Sequence, residues 1–309
     1  MKPVIRIVLA GLATLLVQFV SARAEIHVVA DIAGDSAYAD SVIKVTAAHL
    51  DRLIGSIPDE SLEVHIVASQ GRFDSLSGGA LPDWGAGVAI PYRRQIVIKS
   101  PLIIPGDKSL GELVAHEYTH VALARRLDFQ RVPRWLDEGM AMYLSAEWSW
   151  DDNVALGVAV VMGHDLTLAD IEYLNRFNAR RAQVAYSMSF LAFKYLLDTY
   201  GETGLHILLD DYKAGRSSDY AFIDAIGADY RSFQQEYASF LRGRYTVVTL
   251  LFDSNLLWVL LALIVVVGFI IVRWRRKRRI AEMDAYDKYH STDFDYGEVE
   301  EPDEDEPWR

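Results

Sequence analysis

The sequence predicts an α+β fold, with a small sheet first and helices after it, followed by a single membrane-spanning helix. Three observations predict it. Short strand-like runs, with one helical pattern between them, fill residues 25–99. From Lys108 onward the apolar spacing is helical almost without a break. Residues 256–272 then run on without a charge, and a dense basic cluster follows at once.

The elements follow in order. Lys2 and Arg6 precede an apolar run over 7–20, and Ala22-Arg23-Ala24 supplies a small-x-small site before Glu25. This is the grammar of a secretory signal, so residues 1–24 are expected to be a signal peptide and the domain at 25–245 to be exported. Residues 25–31 read as a strand with Ile26, Val28 and Ala30 on one face. Residues 37–54 carry helical spacing at Val42, Val45, Leu50 and Leu53, and 62–67 alternate as a strand. Residues 88–92 and 95–99 read as two strands, or one bent one, broken at Arg93-Arg94. Pro91 cannot donate to a ladder, which assigns the first of them to an edge. A helix over 110–127 follows. Pro133 opens the next, where its missing N–H costs nothing. Further helices are expected at 168–174, 183–200, 205–212, and 222–241 with a break at Gly227.

The membrane span is expected over 250–272, since the seventeen uncharged residues alone barely cross a hydrocarbon core. Trp258 and Trp274 suit its interfaces. Arg273, Arg275, Arg276, Lys277, Arg278 and Arg279 set the orientation, with the C-terminus cytoplasmic and the domain outside, periplasmic if the membrane is an inner one. Residues 281–309 hold twelve acidic and two basic residues and few aliphatic ones. That composition predicts a disordered tail, free to recruit a cytoplasmic partner. The formal net charge of −12 excludes nucleic acid as the main partner, because phosphate binding needs clustered Lys and Arg. There is no cysteine, so no disulfide and no thiolate metal site can form. A tightly held metal must use His, Asp or Glu.

His116-Glu117-Tyr118-Thr119-His120 carries the chemistry. Four-residue spacing on a helix sets both imidazoles on one face, one turn apart, where they can share an ion. Glu117 lies about 100° round the axis, beside the metal rather than on it, placed to take a proton from the attacking water. Such a motif arises by chance in about one chain per hundred, so its surroundings matter. A catalytic zinc needs a third protein ligand and an open position. The pattern with a glycine and a third histidine soon after the motif is excluded, because Leu123 and Arg126 hold those places. The other source is a carboxylate on the next helix. Pro133-Arg134-Trp135-Leu136-Asp137-Glu138-Gly139-Met140-Ala141 is apolar on most sides, and a buried carboxylate is costly unless paired or metal-bound. Glu138 is the candidate. Its competing role is a pair with Arg134 one turn back. Asp137 is a second candidate ligand, better cast as orienting a histidine. Gly139 has no side chain to hold a neighbouring helix away.

Taken together, His-Glu-Tyr-Thr-His and Pro-Arg-Trp-Leu-Asp-Glu-Gly-Met-Ala resemble the gluzincin metallopeptidases of the peptidase MA-like superfamily. The likeness extends to Ala185-Tyr186-Ser187-Met188-Ser189-Phe190, Tyr200-Gly201 and Ala225-Ile226-Gly227, and covers about residues 80–242. It implies a zincin-like fold, a peptide substrate, Zn2+ on His116, His120 and Glu138, and Glu117 as general base. It also brings the Tyr186 helix near the site, which makes Tyr186 a candidate donor to a developing oxyanion. Residues 87–90 are a candidate edge strand for β-augmentation by a substrate peptide. His164 and Arg93-Arg94 are better explained as surface residues. The acidic tail keeps open a rival reading, a non-catalytic peptide-binding module or membrane adaptor. A metal-dependent hydrolase of a cell-wall component is a third.

Overall fold

The computed structural model describes residues 25–79, 85–102, 108–163, 166–252, 254–289 and Gly297. The expected signal segment, His164, and the tail beyond 289 other than Gly297 lie outside the described residues. The chain divides into two units between Leu250 and Leu251.

The first unit opens with strand β1 (Ile26–Ala30), helix α1 (Asp35–Ile54) and strand β2 (Leu62–Val67). β1 and β2 pair in parallel, Ile26 opposite Leu62 and Ala30 opposite Ile66. Strand β4 (Gln95–Lys99) pairs with the other side of β2, again in parallel, and β3 (Gly87–Ile90) runs antiparallel to β4. The order β1-β2-β4-β3 leaves β3 on an edge. It ends at Ile90 because Pro91–Arg93 curl into a 3-10 turn and Arg94 is left-handed, with φ 54°. The strand expected to reach residue 92 therefore stops two residues early, at the proline that cannot donate.

Side chains of the inner strands sort by period two. Leu62, Val64, Ile66, Ile96 and Ile98 join the main core with Ile43, Leu50 and Ile54 of α1. Val67 and Val97 point to the opposite face and pack on Phe73. Phe73 belongs to α2 (Gln70–Ser77), a helix that periodicity does not reveal because Phe73 is its one buried residue. Its signals are local: Ser69 accepts from the Arg72 amide, and Gly78 closes the helix at φ 88°.

The rest is helical. α3 (Leu110–Arg126) starts in a capping box, Ser109 and Glu112 each accepting from the other's backbone N–H. α4 (Arg134–Ser145) follows, then α5 (Trp150–Val161), also unforeseen, capped reciprocally by Ser149 and Asp152. The helix expected at 168–174 is instead a 3-10 helix, Asp170–Arg176, tied by i→i+3 bonds such as Asp170 N–H to Thr167. The helices expected at 183–200 and 205–212 are the two halves of α6 (Ala179–Lys213), broken at Gly201, where φ 69° and ψ −178° suit only glycine. α7 (Ser218–Ile226) and α8 (Tyr230–Arg244) flank Gly227, and α9 (Val247–Phe252) ends the series.

α4 lies between α3 and α6 and is pinned by Trp135. That side chain is fully buried, stacks on Phe233 with centroids 5.5 Å apart, and donates its indole N–H to Tyr230 Oη at 2.8 Å. On the α6 side the approach is so close that a Cβ at Gly139 would lie 2.2 Å from the Ser189 carbonyl oxygen. This is an α+β architecture of small sheet and helices, as the pattern predicts.

The second unit is dominated by α10 (Ser254–Tyr289). Its stretch Trp258–Tyr286 is long and apolar enough to cross a membrane. The helix continues through the basic cluster to Tyr289, so residues 281–289, expected to be disordered, are helical. Extending an existing helix needs no new nucleus, and Ala281, Glu282, Met283 and Ala285 are good helix formers.

Candidate metal centre

His116, Glu117 and His120 occupy the middle of α3, and all three are largely buried. The imidazole rings of His116 and His120 lie 4.9 Å apart, edge to face. Glu138, on the first turns of α4, faces them. Its Oε2 is 3.5 Å from His116 Nε2 and 3.6 Å from His120 Nε2. Those separations are too long for good hydrogen bonds, and this buried oxygen has no hydrogen-bond partner. The other oxygen, Oε1, accepts from Arg134 Nε at 3.2 Å and Nη2 at 3.1 Å. The two roles weighed for Glu138 are therefore not alternatives. Arg134 holds one oxygen, and the other is left aimed at the imidazoles.

An orphaned carboxylate oxygen between two imidazole nitrogens fits a metal ion. The three donor atoms lie within 4.8 Å of one another. Ligands about 2.0–2.1 Å from one tetrahedral zinc sit about 3.3–3.4 Å apart, close to the spacing seen. The donor set, two imidazoles and one carboxylate, is one that catalytic zinc uses. Among the described residues, the only group of histidines and carboxylates so arranged is this one.

The outer nitrogens of both rings face carboxylates. His120 Nδ1 is 2.6 Å from Asp137 Oδ1. An ionised carboxylate only accepts, so in a neutral ring this contact keeps the proton on Nδ1 and leaves Nε2 free toward Glu138. His116 Nδ1 lies 2.8 Å from Glu147 Oε1, close but off the line of a good hydrogen bond. The other oxygen of Glu147 takes the ammonium of Lys108. The chain reaches this position because Ala146, left-handed at φ 58°, ends α4 and turns it back. Sequence reasoning missed Glu147 and Lys108. Neither lies in the motif helices, and a lone glutamate nine residues after Glu138 gives no periodic signal.

The charged groups of the site act on one another. Burial alone would lower the His116 pKa, but the charge of Glu147, with Glu138 beside it, holds it up at about 10. Burial likewise works against His120, and Asp137 and Glu138 bring it to about 9. Burial would raise Glu138, yet His116, the charge of His120 and Arg134 hold it down at about 2. Glu147 is also held at about 2, against burial, by His116 and Lys108. Glu117 differs: burial raises its pKa above the usual carboxylate range, with the nearby imidazoles opposing.

Two further residues border the centre. Tyr186 on α6 presents its ring edge to His116, centroids 6.3 Å apart, and Lys108 Nζ lies 5.6 Å from its centre. Gly87 opens the edge strand β3 directly against the motif helix: a Cβ there would lie 2.6 Å from Glu117 Oε1.

A family model described as the peptidase MA superfamily matches residues 42–243, from within α1 to within α8. The chain belongs to the peptidase MA superfamily. No curated protein matches it. The match starts well before the expected residue 80 and takes in most of α1 and strands β2, β3 and β4, leaving β1 outside it. Membership makes this a peptidase-type domain of a superfamily that is typically metal-dependent, and His116, His120 and Glu138 could hold a metal ion.

Proposed function

We propose that this MA-superfamily domain is a zinc peptidase of gluzincin type, with zinc held by His116, His120 and Glu138, and with Glu117 as general base. The observation that carries this reading is the buried, partnerless Oε2 of Glu138, 3.5 and 3.6 Å from two imidazole nitrogens. Zinc bound there would lower the pKa of a coordinated water to roughly 7 and polarise the scissile carbonyl.

The protein's own groups supply the rest. Glu117 takes the proton of the attacking water and delivers it to the leaving amine. Burial raises its pKa, which strengthens it as a base. Tyr186, beside His116, donates its phenol O–H to the oxyanion as it develops. A substrate peptide adds to the edge strand β3, and Gly87, having no side chain, lets it approach Glu117. α10 is the membrane anchor, with residues 1–24 as the export signal, the basic cluster on the cytoplasmic side and the domain on the periplasmic one.

Metal analysis and peptide-library cleavage by the purified full-length protein test the enzyme. About one zinc per chain is expected. Glu117→Gln should keep that zinc and lose turnover by about a hundredfold to ten-thousandfold. Tyr186→Phe should also keep it and lose less. Full turnover by Glu117→Gln refutes the assigned base, and a zinc-free wild type refutes the centre.

A further inference from the structure

We propose that Glu147 and Lys108 form a positioning pair for the metal centre. On this reading, Glu147 accepts the Nδ1 proton of His116 and so aims Nε2 at the ion, while Lys108 keeps Glu147 in place. The inference rests on the zinc reading of the site and deepens it.

The geometry gives the two histidines matching supports. His120 has Asp137, 2.6 Å from its Nδ1, on the same helix as the third donor. His116 has Glu147, 2.8 Å from its Nδ1, from beyond the end of that helix. A metal-ligating imidazole whose outer N–H faces a carboxylate has its tautomer and ring orientation fixed, and becomes a better ligand. Without Glu147, nothing else among the described residues is seen at hydrogen-bond distance from the outer nitrogen of His116.

Glu147 is built for this task rather than left there by a surface ion pair. Its side chain is 2 % exposed. A carboxylate buried that deeply needs partners, and among the described residues His116 and Lys108 face it. With a metal bound, His116 is neutral, and Lys108 becomes the one full positive charge in contact with Glu147. The lysine side chain is 41 % exposed and sits just before the Ser109 cap of α3. The pair thus ties the N-terminus of the helix that bears both histidines to the segment leaving the helix that bears Glu138. It fixes the distance between the two ligand helices as well as the rotation of one ring.

The test measures zinc affinity of the full-length protein by competition with a chromophoric chelator, alongside the visible spectrum of the cobalt-substituted protein. Glu147→Gln should weaken zinc binding about tenfold to a hundredfold and alter the cobalt bands, as loss of a supporting carboxylate does. Glu147→Asp should recover part of the affinity. Lys108→Met should weaken binding less, and should have no further effect in the Glu147→Gln background, because it acts through Glu147. Zinc affinity and cobalt spectrum unchanged in Glu147→Gln overturn the proposal and leave the metal centre standing. A wild type that binds no zinc overturns both. If Glu147→Gln does not fold, Lys108→Met decides: weaker zinc binding upholds the pair, and unchanged binding overturns it.

Discussion

At the scale of single residues, the candidate metal site gathers charged groups around the buried side chains of His116, Glu138 and Glu147. His116 and His120 face the carboxylates of Glu138, Glu147 and Asp137. This gives the stability of the metal-free domain a definite pH dependence. The pKa values of His116 and His120, about 10 and about 9, stand above the ordinary 6.5. Their contribution is complete below pH 6.5 and is lost as pH rises through 9 and 10. Glu138 and Glu147, at about 2, stand below the ordinary 4.5, so their contribution is present above 4.5 and lost as pH falls through 2. The raised Glu117 favours its protonated form and adds to the loss of stability at higher pH. Chelator-treated protein should therefore melt highest between pH 4.5 and 6.5 and progressively lower toward pH 10. A melting temperature that holds level from pH 7 to 10 would contradict the paired imidazoliums. The same charges would oppose metal uptake in acid, because a metal bound there would have to displace protons from both rings.

At the scale of elements, the site depends on how closely α4 can approach its neighbours. Glu138 and Gly139 are adjacent, so what presses on one displaces the other. A methyl at Gly139 would meet a backbone oxygen at 2.2 Å and Phe193 Cβ at 2.8 Å, and neither can swing aside as a flexible side-chain tip would. Gly139→Ala should cost about 1–3 kcal/mol and weaken zinc binding as α4 shifts. Gly243 on α8 is exposed, and a Cβ there meets nothing within 4 Å. Gly243→Ala should instead stabilise by about 0.5–1 kcal/mol with zinc affinity unchanged. Thermal unfolding with chelator competition on both variants separates helix propensity from helix approach. Equal effects of the two substitutions would mean that the close contact at Gly139 does not set the position of Glu138.

At the scale of the whole molecule, the domain and the apolar helix that follows it form separate units. Six basic residues adjoin one end of the apolar stretch, and retaining them on the cytoplasmic side is the simplest topology. Protease added outside intact cells stripped of their outer layers should digest the domain and spare an epitope placed after residue 289. Digestion of the epitope with protection of the domain would reverse the proposed orientation.

Sequence alone determined much of this protein, where the signal is periodic or local. His116 and His120 follow from four-residue spacing on a helix, Glu117 from its place one residue round the axis, the edge position of β3 from Pro91, and the break at Gly227 from the one residue tolerant of left-handed backbone. Short helices that bury little, such as Gln70–Ser77, carry no such pattern and were invisible to it. Tertiary structure alone decided how Glu138 divides its two oxygens between Arg134 and the imidazoles, and which carboxylate stands behind His116. Lys108 and Glu147 are 39 residues apart. No spacing rule links them, because what joins them is the packing of one helix end against another.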